Sequence, residues 1–242
     1  MKKYERRTYR KRVNSKDLIS FHVRVKETDL RVSAGRDLRK EVEDLVIDQR
    51  YQLEGYIHSH PDFLTTLKPY PIDIYAPPIV REMIRQTRDI DVGPMAAVAG
   101  AMAQFVGARL LGMTDQVIIE NGGDIFLKVN RRATVSLFAG DSPLSGKMGL
   151  FIYPDRMPLG ICSSSGTVGH SLSMGSADVI CLISKSAIRA DGAATALGNI
   201  IRTKSDLKKA AEWAGNIEGI LGGVAILGDR MVSWGDIELV GL

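Results

Sequence analysis

The 242-residue chain has few of the features that assign a function by themselves. Two cysteines, Cys162 and Cys181, are too few for a disulfide framework. Cys181 lies inside the apolar run ADVICLIS and reads as core. Cys162 precedes three serines, no base stands near it in sequence, and it reads as a small residue that packs well. No run of about 18 apolar residues exists, which excludes a transmembrane helix. The first residues, MKKYERRTYRKR, lead into no apolar segment, which excludes a secretory signal and points to the cytoplasm. No RNA-binding motif with paired aromatics is present, so nucleic acid is not the expected partner.

What is present is ordinary for a globular protein: 45% hydrophobic and 25% charged residues, in a length that suits one large domain or two fused small ones. The net charge of +4 is local. Lys2, Lys3, Arg6, Arg7, Arg10, Lys11 and Arg12 face only Glu5 in the first 12 residues. Such an arm binds phosphates, or is simply a solvated terminus.

From Asp17, the stretch DLISFHVRVKETDLRVSAG alternates as a strand-turn-strand hairpin, with His22 on the exposed face. Leu38, Val42, Leu45, Val46, Leu53 and Tyr56 keep helical spacing from Arg36 to about Tyr56. Five prolines between residues 57 and 78 exclude a regular element there, and Ile79 to Arg88 reads as a short helix. Residues 91–111 are dense in Ala and Gly, suited to close approach of a helix to a backbone or ligand. A hairpin follows, QVIIENGGDIFLKV, then the strand ATVSLFAG, and strands at 149–164 and 176–184 around a serine-rich loop. The texture then recurs: the Ala-rich helix of 189–201, the helix SDLKKAAEWAGN, and a hairpin turning at Gly228-Asp229. Asp91 to Asp124 spans 33 positions and Asp191 to Asp229 spans 38. This reads as a duplicated helix-then-hairpin unit in an α+β fold, with antiparallel sheets and helices on one side.

The segment IHSHPDF at 57–63 raises a metal question. On an extended segment, His58 and His60 would point the same way, and the pattern is similar to the His-Ser-His of JAMM-type zinc peptidases. That resemblance would make the chain a zinc hydrolase. It also requires a Ser eight residues past His60, where Lys68 stands, and an Asp three further on, where Pro71 stands. No other His or Cys lies near in sequence to complete zinc's protein ligands. The alternative is that IHSHPDF ends a helix and enters a loop.

Four segments gather Gly, Ser, Thr and Asp away from the apolar faces: Asp91-Val-Gly93-Pro-Met-Ala96, Asn121-Gly122-Gly123-Asp124, Ser163-Ser164-Ser165-Gly166-Thr167-Val-Gly-His170, and Ala190-Asp191-Gly-Ala-Ala-Thr195-Ala. Gly-rich turns and helix N-termini present N–H groups to anions. Asp191 and Thr195, four apart at a helix start, face one way. One carboxylate and one hydroxyl, with water and phosphate, suit Mg²⁺. The plainer readings are a hairpin turn at Asn121–Asp124 and an N-cap at Asp191.

In this order the four segments resemble the motifs of the ApbE flavin transferases and their superfamily, over roughly residues 90–242; an uncharacterised, shorter prokaryotic branch is the nearest likeness. The resemblance implies an ApbE-like fold of duplicated, tunnelling-fold-like units. The whole chain, 1–242, would be one domain: a divergent part, 1–90, and a duplicated core, 91–242. It implies FAD as ligand or substrate, Mg²⁺, and either FMN transfer to an acceptor protein or FAD hydrolysis. The metal would be held by Asp191, Thr195 and the carbonyl of Ala96. The flavin nucleotide would be lined by Gly93, Ala96, Asn121, Gly122, Gly123, Asp124, Ser163, Ser164, Ser165, Gly166 and Thr167, with His170 at the flavin or diphosphate. The family's motif lysine is Ala97 here, its second glycine is Pro94, and Ser171-Leu-Ser-Met-Gly175 replaces the usual Asp-Pro-x-Thr-Gly. A non-catalytic binding or assembly protein, with a homo-oligomer built through sheet edges, is the alternative.

Overall fold

The computed structural model describes residues 17–166 and 175–242. The alternating strands meet as expected. β1 (Ile19–Val25) and β2 (Thr28–Ala34) form a hairpin whose turn places Lys26 at positive φ. The next element, α1 (Arg39–Ser59), runs three residues beyond the expected Tyr56. One helical turn follows, α2 (Asp62–Thr65), inside the segment where prolines excluded regular structure. The remainder of that segment has no regular element until α3 (Pro78–Thr87), where a proline occupies the first helical position and needs no N–H partner.

The small-residue stretch is a 3₁₀ turn at Pro94–Ala97 and then α4 (Val98–Leu110). β3 (Val117–Asn121) and β4 (Asp124–Lys128) make the Asn-Gly-Gly-Asp hairpin, with Gly122 at positive φ. The segment 149–164 divides between two sheets. Pro154 and Pro158 separate β6 (Met148–Ile152) from β7 (Leu159–Ser164). β6 joins β5 (Ala133–Ser136) and a short strand not foreseen, β11 (Glu238–Gly241). After β8 (Val179–Ser184) come α5 (Ala187–Ile200), α6 (Leu207–Gly215), and the hairpin of β9 (Ile220–Leu227) and β10 (Arg230–Gly235).

The large sheet has the order β1-β2-β3-β4-β7-β8-β9-β10, antiparallel throughout. It contains one pattern twice: hairpin, helices, hairpin. The helix-then-hairpin unit legible in the sequence is the second part of each half; β1–β2 and β7–β8 lead them. Residues 17–90 therefore supply the leading hairpin and first helices of the first half.

Alternation along the strands divides the core. Val32, Ile119, Phe126, Cys162, Ile180 and Ala225 face the helices. Ile118, Leu127, Ile161, Cys181, Val224 and Ile226 face the three-stranded sheet. Central strands are covered on both faces and read as continuous apolar runs, whereas β1 leaves Ser20, His22 and Arg24 exposed on one face. Helices thus lie on one side of the large sheet, as expected.

α5 is the central helix, with 12 of its 14 residues buried. It rests on β7 at Gly160, where a β-carbon would lie 2.2 Å from Cα of Ala187. Gly160→Ala is expected to destabilise the fold by about 1–3 kcal/mol through overpacking. A thermal melt should show this as a fall of about 2–4 °C per kcal/mol; an unchanged Tm would contradict the close seating of α5.

Candidate functional site

A helix buried on nearly all sides must find partners for every polar group it carries. α5 carries Arg189, Asp191 and Thr195, each buried. Arg189 is satisfied: it pairs with Asp89 and donates to the carbonyls of Gln86 (2.7 Å) and Glu218 (3.1 Å). This ties α5 to the chain just before the 91–96 segment.

Asp191 reaches α4. Its Oδ2 accepts from the N–H of Gly100 at 2.8 Å, and the Ala99 N–H also stabilises its charge. These are the second and third positions of α4, whose own N-cap, Ala97, has no side chain able to cap. α4 returns the favour to α5: Gln104 Oε1 accepts from Ala187 N at 2.7 Å and from the Ser186 hydroxyl at 3.2 Å. The two helix starts therefore cap each other, antiparallel. Only glycine allows it at residue 100, where a β-carbon would lie 2.3 Å from the Ala187 carbonyl oxygen. Asp191 is thus a cap, but of a neighbouring helix. α5 begins at Ala187, capped by Ser186, so Asp191 stands in its second turn rather than at its start.

The β3–β4 hairpin meets these helices at its turn. Asn121 Nδ2 donates to the Ala99 carbonyl at 3.2 Å. Asp124, the first residue of β4, is buried beside Cys162 and near Asp191. Burial pushes its carboxyl up to about 7, against the opposing pull of Cys162 and the Ser163 N–H. Burial first, then the nearby Asp124 charge, raises Asp191 well above the usual carboxylate range. Burial likewise raises the Cys162 thiol, which donates to the Ala187 carbonyl at 3.2 Å, so it is no nucleophile.

Among the described residues, three buried side-chain oxygens on β4, β7 and α5 have no hydrogen-bond partner: Asp124 Oδ1, Ser164 Oγ and Thr195 Oγ1. Thr195 contrasts with the equally buried Thr87, which bonds the Met83 carbonyl one turn back at 2.8 Å. Orphaned buried oxygens are uncommon and call for a ligand. The Asp191 carboxylate and the Thr195 hydroxyl are hard oxygen donors of the kind Mg²⁺ takes, completed by water or phosphate. Among the described residues no group of three or more His, Cys, Asp or Glu is placed to hold a metal, so hydroxyl or carbonyl oxygens would have to complete a cation's ligands.

The sequence-derived residues fall as follows. Asn121, Asp124 and Asp191 meet at the start of α4; Ser164 lies two residues past Cys162 on the same face of β7, and Thr195 one turn past Asp191 on α5. Gly93 precedes the 3₁₀ turn, pressed on the Thr66 carbonyl, and Ala96 is half-buried on that turn. Gly122 and Gly123 form the hairpin turn, and Gly123 lies beside Ser163. Ser163 turns its side chain to the other sheet face, beside Cys181, leaving its N–H for Asp124. Ser165 and Gly166 are half-buried at the end of β7, where Gly166 N–H donates to the Ala177 carbonyl. Thr167 and His170, like the basic arm of residues 2–12, lie outside the described residues. The α4 N-terminus is not an open anion site, because Asp191 occupies it. Asp91 is exposed and pairs with Lys68 at 3.1 Å, outside the cluster. Arg189 and Gln104 went unnoticed in the sequence: nothing local marks a buried arginine or a capping glutamine from another helix.

His58 and His60 do not converge. The extended segment needed for that is helical: His58 lies on α1 and His60 is its C-cap, stacked on Tyr56 at 4.2 Å with Nδ1 3.2 Å from the Tyr56 carbonyl. The segment does end a helix, and no zinc centre follows from it.

The raised Asp124 carboxyl has a pH consequence. Between about pH 4, where an unfolded aspartate ionises, and about 7, the folded chain holds a proton that the unfolded chain has lost. Stability therefore falls as pH rises through that window. Asp124→Asn should flatten the fall in urea midpoint measured with chelator present; an identical slope in wild type and variant would contradict the buried carboxyl.

The comparisons with known proteins bear on the family and the fold. A UPF0280 protein of Methanococcus vannielii is 41% identical over 207 residues, 83% of this chain and 84% of the relative. One from Methanothrix thermoacetophila is 43% identical over 195 residues, 79% and 81% of the two chains. Among solved structures, the apo flavinyl transferase ApbE of Pseudomonas stutzeri matches with TM-score 0.58 at 13% identity, covering 90% of this chain and 94% of that one. The ApbE protein of Thermotoga maritima matches with TM-score 0.53 at 11% identity, over 89% and 96%. At such identities the shared property is the fold. The family model described as AbpE bacteria matches residues 10–218, and the chain belongs to that family.

Proposed function

We propose that the chain binds a flavin nucleotide, FAD, together with Mg²⁺, and breaks the diphosphate bond to release AMP. The FMN part passes to a threonine of an acceptor protein or to water. The observation that carries this reading is the set of orphaned buried oxygens, Asp124 Oδ1, Ser164 Oγ and Thr195 Oγ1, beside the raised carboxyl of Asp191.

Asp191 and Thr195, with the Ala96 carbonyl, would hold the cation; when bound, it would offset the charge of the diphosphate. Asp191 would do this while keeping its bond to Gly100, which fixes its direction. Asn121 to Asp124, with Gly93 and Ser163 to Gly166, would line the nucleotide, and Ser164 would donate to it. Thr167 and His170 complete the set by resemblance, His170 as donor to the transferring phosphate.

One observation favours a binder without turnover as the second reading. Ala97, where the resemblance expects lysine, is fully buried, and a β-carbon on Gly192 would lie 3.6 Å from its Cβ. Ala97 carries no charge, so one phosphate-binding charge is absent.

Incubating the purified chain with FAD, with and without Mg²⁺, separates these readings. Retained flavin and Mg²⁺-dependent AMP release are expected, and Asp191→Ala should reduce the release at least about a hundredfold, the scale of losing a group that stabilises transition-state charge. Retained FAD without AMP would support the binder. Neither flavin nor AMP would contradict both.

A further inference from the structure

The outer face of α1 carries a self-complementary stripe that the proposed chemistry does not use. Asp44, Ile47, Tyr51, Gly55 and His58 are all exposed, at spacings of three and four that align them on one helix face. Ile47 is 49% and Tyr51 79% accessible, unusual for large apolar side chains on a helix whose inner face is well packed. A β-carbon at Gly55 would meet nothing within 4 Å, so the surface is open there. Two charges flanking the centre of the stripe are already used within the chain. Arg50 binds Glu27 and Glu54, and Asp48 accepts from Gln49 and Gln52. Asp44, Tyr51 and His58, by contrast, make no hydrogen bond or ion pair with other described residues.

The stripe is palindromic about Tyr51. Asp44 lies seven residues before it and His58 seven after; Ile47 lies four before and Gly55 four after. An antiparallel copy turned about an axis at Tyr51 would set each Asp44 carboxylate against the other copy's His58 imidazole. It would also set each Ile47 side chain over the other copy's open Gly55. This is the matching an isologous interface requires, the same patch on both sides. The contact would run about 21 Å along the helix, from a rise of ~1.5 Å per residue. We infer that two copies of this chain pair through the outer faces of α1, antiparallel across a twofold axis at Tyr51.

Sedimentation of the intact chain tests this. A dimer is expected at micromolar concentration. Ile47→Glu and Tyr51→Glu should each weaken it at least about thirtyfold, as central interface residues do, with an unchanged circular dichroism spectrum. Asp44→Lys and His58→Glu should each weaken it about tenfold or more, and the double variant should regain most of the loss, since each new charge meets its opposite in the other copy. A monomeric wild type would overturn the proposal. So would a dimer indifferent to Ile47→Glu and Tyr51→Glu, which would place the interface elsewhere, for instance at a sheet edge.

Discussion

The fold depends on one contact, the mutual capping of α4 and α5. Each helix start is buried, and neither can leave its first N–H groups to water. Asp191 of α5 serves Ala99 and Gly100; Gln104 of α4 serves Ala187. The helices must therefore stay antiparallel and in register, and the contact surface must be small. That explains the Ala and Gly density of both segments, which a propensity argument alone would count against at Gly100. The two halves of the sheet are tied through this contact, since α4 lies on β3 and β4 and α5 on β7 and β8.

Electrostatic consequences follow. Capping a buried helix with a carboxylate puts a charge where charge is costly, and Asp124 arrives beside it from the hairpin. Arg189, two residues before Asp191, is fully matched and adds no relief, because its charge is committed to Asp89. The structure thus tolerates two buried acids near each other and, among the described residues, unbonded oxygens on Asp124, Ser164 and Thr195, whereas Thr87 and Arg189 are satisfied. Local inconsistency of this kind is expected at functional sites.

Much of this was legible in the sequence. Alternation gave the hairpins at Asn121–Asp124 and Gly228–Asp229, and the order of four polar segments gave the family. The polar segments name Asp124 and Asp191 without showing that the α4 start brings them near each other. Other features depend on contacts across the fold. The plainer reading of Asp191, a cap of its own helix, assumes that caps are local in sequence, whereas here the recipient is 91 residues away. The serines look equivalent in sequence, yet strand parity sends Ser163 to the other face and leaves Ser164 on the helix side with Cys162. The His-Ser-His pair looked convergent only on the assumption of extended backbone. α1 persists until the residue before Pro61, where proline disfavours helical backbone at His60. β11, four residues long, finds its place only through β6.

The proposed chemistry rests on a divalent-cation site formed by Asp191, Thr195 and the Ala96 carbonyl. Its most direct test is the thermal midpoint at pH 8 as Mg²⁺ is raised, without nucleotide, for the wild type and for Thr195→Val. Binding to the folded state alone gives about 1.4 kcal/mol at ten times the dissociation constant, or ~3–6 °C for a chain of this size. The account predicts a midpoint that climbs with Mg²⁺ in the wild type and stays flat in Thr195→Val. A wild-type midpoint indifferent to millimolar Mg²⁺ would contradict it.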